Sequence, residues 1–516
     1  MPLLTWLDGL DSRQLARLQR ALLAAAFLGS LAVALAGAGI KSAHDPRTFW
    51  FFGDTPLGTS RHLGVSRPLS LGGLLLLAAG WLGLGLCAWR RGTSRRTVLL
   101  FAALVALPLA VAPPLFSDDV FSYVAQGQLI RAGFDPYTHG WAALGQPGIG
   151  RTAADFWQST PTPYSPGFLR LAQLVAWTSG GSAYAGGLVL RVVAVLALAA
   201  CAALLLRLLA ARPDQQVPAL WLAIANPLVL TGAVSGAHID VLIAVALLGA
   251  LVLHRSGRGY LALGLVGVAG QVKVTALLAA LALAADLALR ERGRLHQLLV
   301  WARGGLVAAA SFAGLSLVAG LGWGWLHALS VPGLADTSAT PLDAASDLVA
   351  RVSSTTRASN QNQAVNGAPG WVTTLGLLVG LAVCLALALR VRQLGPARAV
   401  GLSVLAVLLL GGAFWPWYLI VPLVLLAVAG ERTDRLMGAA LSLVLLFADG
   451  PGGLPNANTH TVAADVWYLG WYAGAVALLV VGRRWGRTGA SPLTVRRRAD
   501  PPGQLPGCLA VAGGER

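Results

Sequence analysis

The sequence has very few charged residues for its length. Only 11% of its 516 residues are charged, against about 25% in soluble domains. Hydrophobic residues make up 56% of the chain, and the mean hydropathy is +0.68. Apolar runs repeatedly reach the ~20 residues that are needed to cross a bilayer. This composition excludes an ordinary soluble enzyme and predicts a polytopic integral membrane protein.

Lysine is almost absent, since only Lys41 and Lys273 occur and arginine supplies the other basic side chains. The net charge of +17 would by itself fit a nucleic-acid partner. The arginines, however, lie in short loops between apolar runs, which is typical of the cytoplasmic loops of membrane proteins. We therefore predict membrane lipids as partners and no nucleic acid.

Cysteines and common catalytic motifs are scarce as well. Four cysteines occur, three in predicted spans and Cys508 in the tail, and their positions predict neither a disulfide framework nor a metal site. The sequence has no Walker loop, no GxGxxG after a strand, no HExxH and no GxSxG triad context. This excludes nucleotide-driven chemistry and predicts no cofactor, while a role for a divalent metal stays open.

The apolar runs divide the chain into three parts. We predict that residues 21–482 form an all-α membrane domain of about 13 or 14 transmembrane helices. Residues 1–20 would be a cytoplasmic N-terminal segment, without a cleavage site after it, and residues 483–516 a basic, disordered cytoplasmic tail. We predict a kink in one span at Asn226-Pro227, and two short helices over residues 259–289 with a break near Gly270-Gln271.

Arginine clusters indicate the orientation in the membrane. Loops 90–96 and 290–294 are rich in arginine and are predicted to be cytoplasmic. The long loops 116–181 and 322–369 then lie outside. Any site built on them would face the extracytoplasmic side of the plasma membrane.

The first long polar break in the apolar sequence is FSDDVFSYVAQGQLIRAGFDPYTHG, residues 116–140. Asp118 and Asp119 lie where the chain leaves the bilayer, and apolar residues then recur at three- and four-residue spacing up to Asp135-Pro136. This pattern predicts an interfacial helix that stops at the proline. A carboxylate there could take a proton from a sugar hydroxyl, with repulsion between the two acids raising one pKa. The alternative is a solvated loop in which an aspartate caps the helix.

Other polar and aromatic residues could bind a substrate. His238 and Asp240 lie at an outer turn, where they would bind a lipid phosphate or only hydrogen-bond the turn, and their spacing disfavours a metal pair. Lys273 is an ionisable residue in an apolar segment, which predicts phosphate binding, with snorkelling to the inner surface as the alternative. Trp415 and Trp417 belong either to an interfacial aromatic belt or to a surface that stacks on a sugar or polyprenyl chain.

The run PLFSDDVFSYVAQGQLIRAGFDPY, residues 114–137, resembles the first outer loop of polyprenyl-phosphomannose-dependent α-1,6-mannosyltransferases. These are glycosyltransferase-C superfamily enzymes of actinobacterial, mycobacterial-type cell envelopes. Further segments that resemble the family's motifs are TPYSPGF (162–168), NPLVL and GAHIDVL within 226–242, KVTALL (273–278) and WPWYLIVPL (415–423). Phe121, Ser165 and Ile239 stand where the family has Tyr, Gly and Asn.

The resemblance implies a glycosyltransferase-C-like helical bundle that transfers mannose, with inversion, from polyprenyl-phosphate mannose to a lipid-anchored α-1,6-mannan such as lipomannan. It implies Asp119 as the general base, with Asp118 at a variable position, and Lys273 or His238 at the donor phosphate. The remaining substrate contacts expected from these motifs are Tyr123, Gln126, Tyr137, Tyr164, Asp240, Trp415 and Trp417.

Two alternatives stay open. One is a transferase for another polyprenyl-linked sugar, such as arabinose or glucose. The other is a lipid or solute transporter or flippase. Transporters usually show internal repeats and broken helices in both halves. This alternative is disfavoured because the sequence shows one broken hairpin and no convincing repeat.

Overall fold

The computed structural model describes residues 6–44, 63–90, 92–145, 155–329, 340–342, 344–345, 370–411, 414–447, 466, 469–470, 472–474 and 476. Within these residues every regular element is helical, which confirms the predicted all-α class. Most of the predicted outer loop 322–369 and of the last predicted span, 465–482, lies outside the described residues. The predicted tail 483–516 lies outside them entirely.

The α-helices are numbered in chain order. They are α1 (Ser12–His44), α2 (Leu63–Arg90), α3 (Arg95–Val111), α4 (Asp119–Arg131), α5 (Pro166–Thr178), α6 (Ala183–Leu208), α7 (Pro213–Ala223), α8 (Pro227–Leu230), α9 (Asp240–Arg255), α10 (Gly259–Gly270), α11 (Leu278–Ala288), α12 (Arg294–Ala319), α13 (Trp325–Ala328), α14 (Gly370–Leu389), α15 (Val391–Leu394), α16 (Pro396–Leu410), α17 (Ile420–Ala429) and α18 (Arg432–Leu446). Short 3-10 segments are Trp141–Leu144, Asp155–Gln158, Val274–Leu277 and Pro416–Leu419, and Thr231–Ser235 is a π-helical segment.

Several helices can cross a membrane. Among the described residues, four are long and apolar enough by length and composition, and a fifth span results if the bent pair Pro213–Ala223 and Pro227–Ser235 is counted as one. Shorter apolar helices are Gly259–Gly270, Val274–Ala288, Thr374–Leu389, Pro396–Leu410 and Pro416–Ala429. A multi-pass membrane protein is therefore confirmed, and the count of 13 or 14 passes stays a prediction.

The N-terminal helices pack closely because glycines line their contact. A β-carbon on Gly29 of α1 would lie 2.6 Å from the carbonyl oxygen of Gly73 in α2. Farther along, Trp81 of α2 stacks on Trp221 of α7 with ring centroids 4.6 Å apart. Each indole N–H donates to the other residue's carbonyl oxygen, at 3.0 and 2.8 Å. This reciprocal pair holds α2 against α7.

Both predicted breaks are confirmed. At Asn226 the chain bends by 56°, and the Asn226 side chain accepts from Leu228 N at 3.0 Å while donating to Ser442 Oγ at 2.7 Å. At Gln271 the amide donates to Phe312 O and accepts from Gly167 N, at 2.8 and 2.9 Å. The Asn226 amide thus satisfies a backbone N–H of the helix that restarts after the break, and the Gln271 amide ties its break to α5 and α12.

The prediction of an interfacial helix at the acidic pair is wrong in two respects. Helix α4 has buried side chains around its whole circumference, Ser122 and Gln126 included, because it packs against both α5 and α6. It also ends before Asp135: Ala132 is the C-terminal cap, and Gly133 follows in the left-handed region with φ 85°. A glycine in that conformation ends a helix without the steric cost that other residues pay.

Candidate functional site

Five segments of the chain converge on one polar cluster. They are the start of α4, the turn before α5, the turn between the π-helical segment and α9, the break between α10 and α11, and the aromatic run before α17. The cluster, as the term is used below, consists of Asp119, Tyr123, Tyr164, His238, Asp240, Lys273, Trp417 and Tyr418.

Asp119 occupies the first turn of α4 with a side chain that is only 15% exposed. Its backbone N–H donates to Ser117 Oγ at 3.1 Å, whereas Asp118, the N-terminal cap residue, forms no side-chain capping hydrogen bond. Its Oδ2 lies 3.7 Å from His238 Nδ1, and the Trp157 side chain hydrogen-bonds to the carboxyl group. Asp118 immediately precedes the helix.

The surroundings of Asp119 raise its pKa to about 7. Burial is the largest cause, because it disfavours the charged form. The positive charge of Lys273 opposes that shift, and the negative charge of Asp118 adds to it. A carboxyl group whose pKa is close to neutral can accept a proton at the working pH, which suits a general base.

His238 is almost fully buried in the turn that follows the π-helical segment. Its Nδ1 lies 3.4 Å from Tyr123 Oη, and its ring stacks on Trp417 with centroids 3.8 Å apart. Burial lowers its pKa well below the usual value, and the charge of Lys273 adds to this shift. The ring is therefore neutral, and its contact with Asp119 is a polar contact between a neutral ring and a carboxyl group.

Lys273 lies at the break between α10 and α11 and is 13% exposed. Its ammonium group is 3.8 Å from Asp240 Oδ1 and 3.3 Å from the centroid of the Tyr418 ring. The break therefore turns the only cation of the cluster toward the acids rather than along a helix surface. In this position it could hold an anionic group of a substrate.

The aromatic residues differ in how much surface they offer. Trp417 is buried and stacks on two rings, those of His238 and Trp415. Trp415 is only partly buried. We therefore expect Trp417 to orient His238 and Trp415 to offer a ring face to a sugar.

The remaining predicted substrate residues are Tyr164, Tyr137 and Gln126. Tyr164 meets Tyr123 edge to face at 5.5 Å, and its carbonyl oxygen accepts from Tyr137 Oη at 3.2 Å. Tyr137 thus supports the 162–168 turn. Gln126 is buried two turns along α4 from Asp119, and among the described residues no hydrogen-bond partner reaches its Oε1.

Sequence reasoning missed three residues that shape the site. Tyr418 was noticed only as part of an aromatic run, and Trp157 belongs to a segment without periodicity, so no signal marked it. Arg191 lies in the apolar helix α6 and donates hydrogen bonds to the carbonyl oxygens of Ala110 and Ser235. These two residues precede Asp119 and His238 in the chain. A lone arginine within an apolar span is a signal of function that could have been used.

Two features bear on what the site can bind. A small apolar crevice with a volume of about 20 Å³ opens beside His238. Its lining includes Leu115, Phe116, Leu228, Trp417, Leu445 and Leu446. Among the described residues, no three His, Cys, Asp or Glu side chains lie together as a metal site would require.

Comparison with known proteins places the chain in a family. Residues 23–289, just over half of the chain, match the family model described as the N-terminal domain of α-(1→6)-mannopyranosyltransferase. α-(1→6)-Mannopyranosyltransferase A of Mycobacterium tuberculosis is 34% identical over 50% of this chain and 51% of its own length. The protein of the same name from Corynebacterium glutamicum is 30% identical over 42% of this chain and 46% of its own length.

The match thus spans about half the length of these two relatives. A probable α-(1→6)-mannopyranosyltransferase of Mycolicibacterium smegmatis is 26% identical over 82% of this chain and 80% of its own length. No solved structure matches the chain. On the strength of the family match, the chain belongs to the α-(1→6)-mannopyranosyltransferase family.

Proposed function

We propose that this protein transfers mannose from polyprenyl-phosphate mannose to a lipid-anchored α-1,6-mannan on the outer face of the plasma membrane. The observation that carries the proposal is the convergence of Asp119, His238 and Lys273 beside an apolar crevice. Transfer from a lipid-phosphate sugar requires a base for the acceptor hydroxyl, a cation for the phosphate and apolar side chains for the lipid.

These positions support the following reaction. Asp119 removes the proton of an acceptor hydroxyl, and the freed oxygen attacks the anomeric carbon of mannose from the side opposite the phosphate. The new glycosidic bond forms while the bond from the anomeric carbon to the phosphate oxygen breaks, so the configuration inverts. Polyprenyl phosphate leaves with the bonding electrons, and Lys273 stabilises its charge. Asp119 then releases its proton to water.

The donor's two parts match two parts of the site. The phosphate would lie near Lys273, and the neutral His238 ring could donate one hydrogen bond to it. The isoprenoid chain would lie against the apolar side chains of Leu115, Leu228 and Leu445, which line a crevice too small to enclose it. A nucleotide sugar has no apolar chain to contact these side chains, which favours the lipid-linked donor.

The test uses purified protein in detergent with radiolabelled polyprenyl-phosphate mannose and a short α-1,6-mannoside, followed by linkage analysis. We expect an elongated product with a new α-1,6 bond, and no product with GDP-mannose. Asp119→Asn is the inactive control and Asp118→Asn the matched active one. Transfer of arabinose or glucose from the corresponding donors, but not of mannose, would contradict the proposal in favour of the other-sugar transferase.

A further inference from the structure

Arg191 is a guanidinium group buried inside a membrane-spanning helix. It lies in the first third of α6, is 2% exposed, and the next charged residue of that helix is Arg207 at its far end. A charged side chain in a span is costly, so it persists where its hydrogen bonds compensate for the lost solvation. The partners of Arg191 therefore indicate what it does.

The partners lie on two separate segments. Arg191 Nη1 donates to the carbonyl oxygens of Ala110 and Ala112, at 2.8 and 2.5 Å. These carbonyls close α3, where the last turn of a helix lacks intrahelical donors. Arg191 Nε and Nη2 both donate to Ser235 O, at 3.2 and 2.8 Å. Ser235 is the last residue of the π-helical segment.

Ser235 also joins the same two segments through its side chain. Its Oγ accepts from Leu115 N at 3.1 Å and donates to Pro113 O at 3.4 Å. We call the Arg191 and Ser235 side chains, with the backbone groups of residues 110–115 and 235 that they bind, the Arg191–Ser235 junction. The junction therefore holds the segment that follows α3 against the end of the π-helical segment.

Each segment leads from the junction to one polar group of the site within a few residues. Beyond Leu115 the chain passes Phe116, with φ 67°, and reaches Asp119. Beyond Ser235 it passes Ala237, with φ 50°, and reaches His238. These are the only non-glycine residues with positive φ in the described part of the chain. Such strained conformations persist when the surroundings hold them in place.

We propose that Arg191 is a positioning residue that sets the distance between Asp119 and His238 through the Arg191–Ser235 junction. The inference rests on the proposed function, because the group positioned is the base of the transfer reaction. It requires the planar fork of arginine, which reaches carbonyls on both segments at once. A lysine ammonium is a compact group on a flexible stem and cannot reproduce the spacing of the fork's donors, so it could not hold both segments in the same geometry.

The test compares Arg191→Lys with Arg207→Gln, an exposed arginine of the same helix. Hydrogen–deuterium exchange of residues 112–119 and 235–240 is measured by mass spectrometry in detergent, beside kcat and the donor KM. We expect Arg191→Lys to speed exchange in both segments. It should lower kcat about 100-fold, the usual cost of misplacing a reacting group by about 1 Å, with the donor KM changed less than threefold. Arg207→Gln should leave all of these at wild-type values.

Unchanged exchange in the two segments of Arg191→Lys would overturn the inference, whatever the activity. A raised donor KM with unchanged kcat would also overturn it, because Arg191 would then act on binding. Faster exchange in a protein whose wild type transfers no mannose would leave the junction standing and reject the proposed function. If Arg191→Lys does not fold, Ser235→Ala removes the second side chain of the junction, and we expect it to loosen the same two segments.

Discussion

Asp119 is a buried carboxyl group that is only half ionised near neutral pH, because its pKa is about 7. Only the carboxylate can take the acceptor proton. We therefore expect kcat/KM for mannosyl transfer to rise with pH through about 7 and to level off above it. Asp119→Asn should lose a factor of roughly 10²–10⁴ in rate, the usual contribution of a general base, and should show no such rise.

Asp118→Asn is the matched control for this prediction. The charge of Asp118 raises the pKa of Asp119, so its removal should lower that pKa and move the activity profile to lower pH. The maximal rate should stay close to wild type. A fully active Asp119→Asn beside an inactive Asp118→Asn would assign the base to Asp118 instead.

The same carboxyl group predicts how stability depends on pH. A pKa that folding raises from 3.8 to about 7 means that the folded state favours the protonated form. That stabilisation is complete below pH 3.8 and is lost as the pH rises through about 7. Because asparagine does not titrate, the melting temperature of Asp119→Asn should exceed that of the wild type at pH 8, with a smaller difference at pH 5. A difference in melting temperature between the two proteins that stays the same from pH 5 to pH 8 would contradict a raised pKa of Asp119.

Lys273 is predicted to act on the donor phosphate. Lys273→Ala should raise the donor KM much more than the acceptor KM, while Lys273→Arg should keep part of the activity because the charge remains. Alanine also leaves Asp240 buried without its cation, which typically costs about 3–5 kcal/mol. The double variant Lys273→Ala/Asp240→Asn separates the loss of donor binding from the loss of stability. It removes the unpaired charge of Asp240, so it should be more stable than Lys273→Ala and should still bind the donor weakly. An unchanged donor KM in both variants would favour the snorkelling alternative.

At the scale of elements, the turn after the π-helical segment depends on Gly236. Its φ of −76° suits any residue, but a β-carbon there would lie 2.6 and 2.7 Å from two atoms of the His238 ring. Gly236→Ala should therefore displace His238 and lower kcat by about two orders of magnitude, as a shift of about 1 Å can do. Transfer rates of the purified variant test this.

Gly264→Ala in α10 is the control, because no atom lies within 4 Å of the added β-carbon. Alanine in a helix interior is more favourable than glycine by about 1 kcal/mol, so this variant should be active and at least as stable as the wild type. Equal activity of the two glycine variants would show that His238 tolerates displacement.

The interruptions of helices were predictable from the sequence, whereas the burial of polar side chains on α4 was not. Pro227 and the polar Gln271 mark their breaks because each is out of place in an apolar run. Helix α4 has a polar and an apolar face in its sequence, which predicts a helix at an interface. Its polar face is buried by α5 and α6, which lie tens of residues later in the chain. Tertiary packing of this kind leaves no trace in local periodicity.

The candidate site was predictable where chemistry was unusual for its surroundings. An acidic pair at the end of a span and a lysine in an apolar segment stood out for that reason. The Lys273–Asp240 and His238–Trp417 contacts did not, because they join segments separated by 33 and 179 positions and depend on how the helices fold back. The neutrality of His238 likewise follows from burial that only the fold supplies.

At the scale of the whole molecule, the arginine loops predict an orientation that labelling can test. A single cysteine is placed at Ala142, or at Arg292 in the 290–294 loop, in a background without the native cysteines; both positions are exposed. Intact cells are treated with a membrane-impermeant thiol reagent. We expect Ala142→Cys to react and Arg292→Cys to react only after permeabilisation. Labelling of Arg292→Cys in intact cells would invert the topology and place the site in the cytoplasm.

The Trp81–Trp221 pair gives the protein an optical signature of its own fold. Two nearly parallel indole rings with centroids 4.6 Å apart are close enough for their excited states to couple, which produces a pair of bands of opposite sign in the circular dichroism spectrum when their transition dipoles are skewed. The Trp415–Trp417 stack contributes in the same region, so the signal of the Trp81–Trp221 pair is the part that Trp81→Phe removes. Since the pair joins α2 to α7 and shares no residue with the cluster, that part should persist in a variant that has lost only chemistry. It should vanish in one that has lost its packing, so the difference spectrum can tell an inactive protein from a collapsed one.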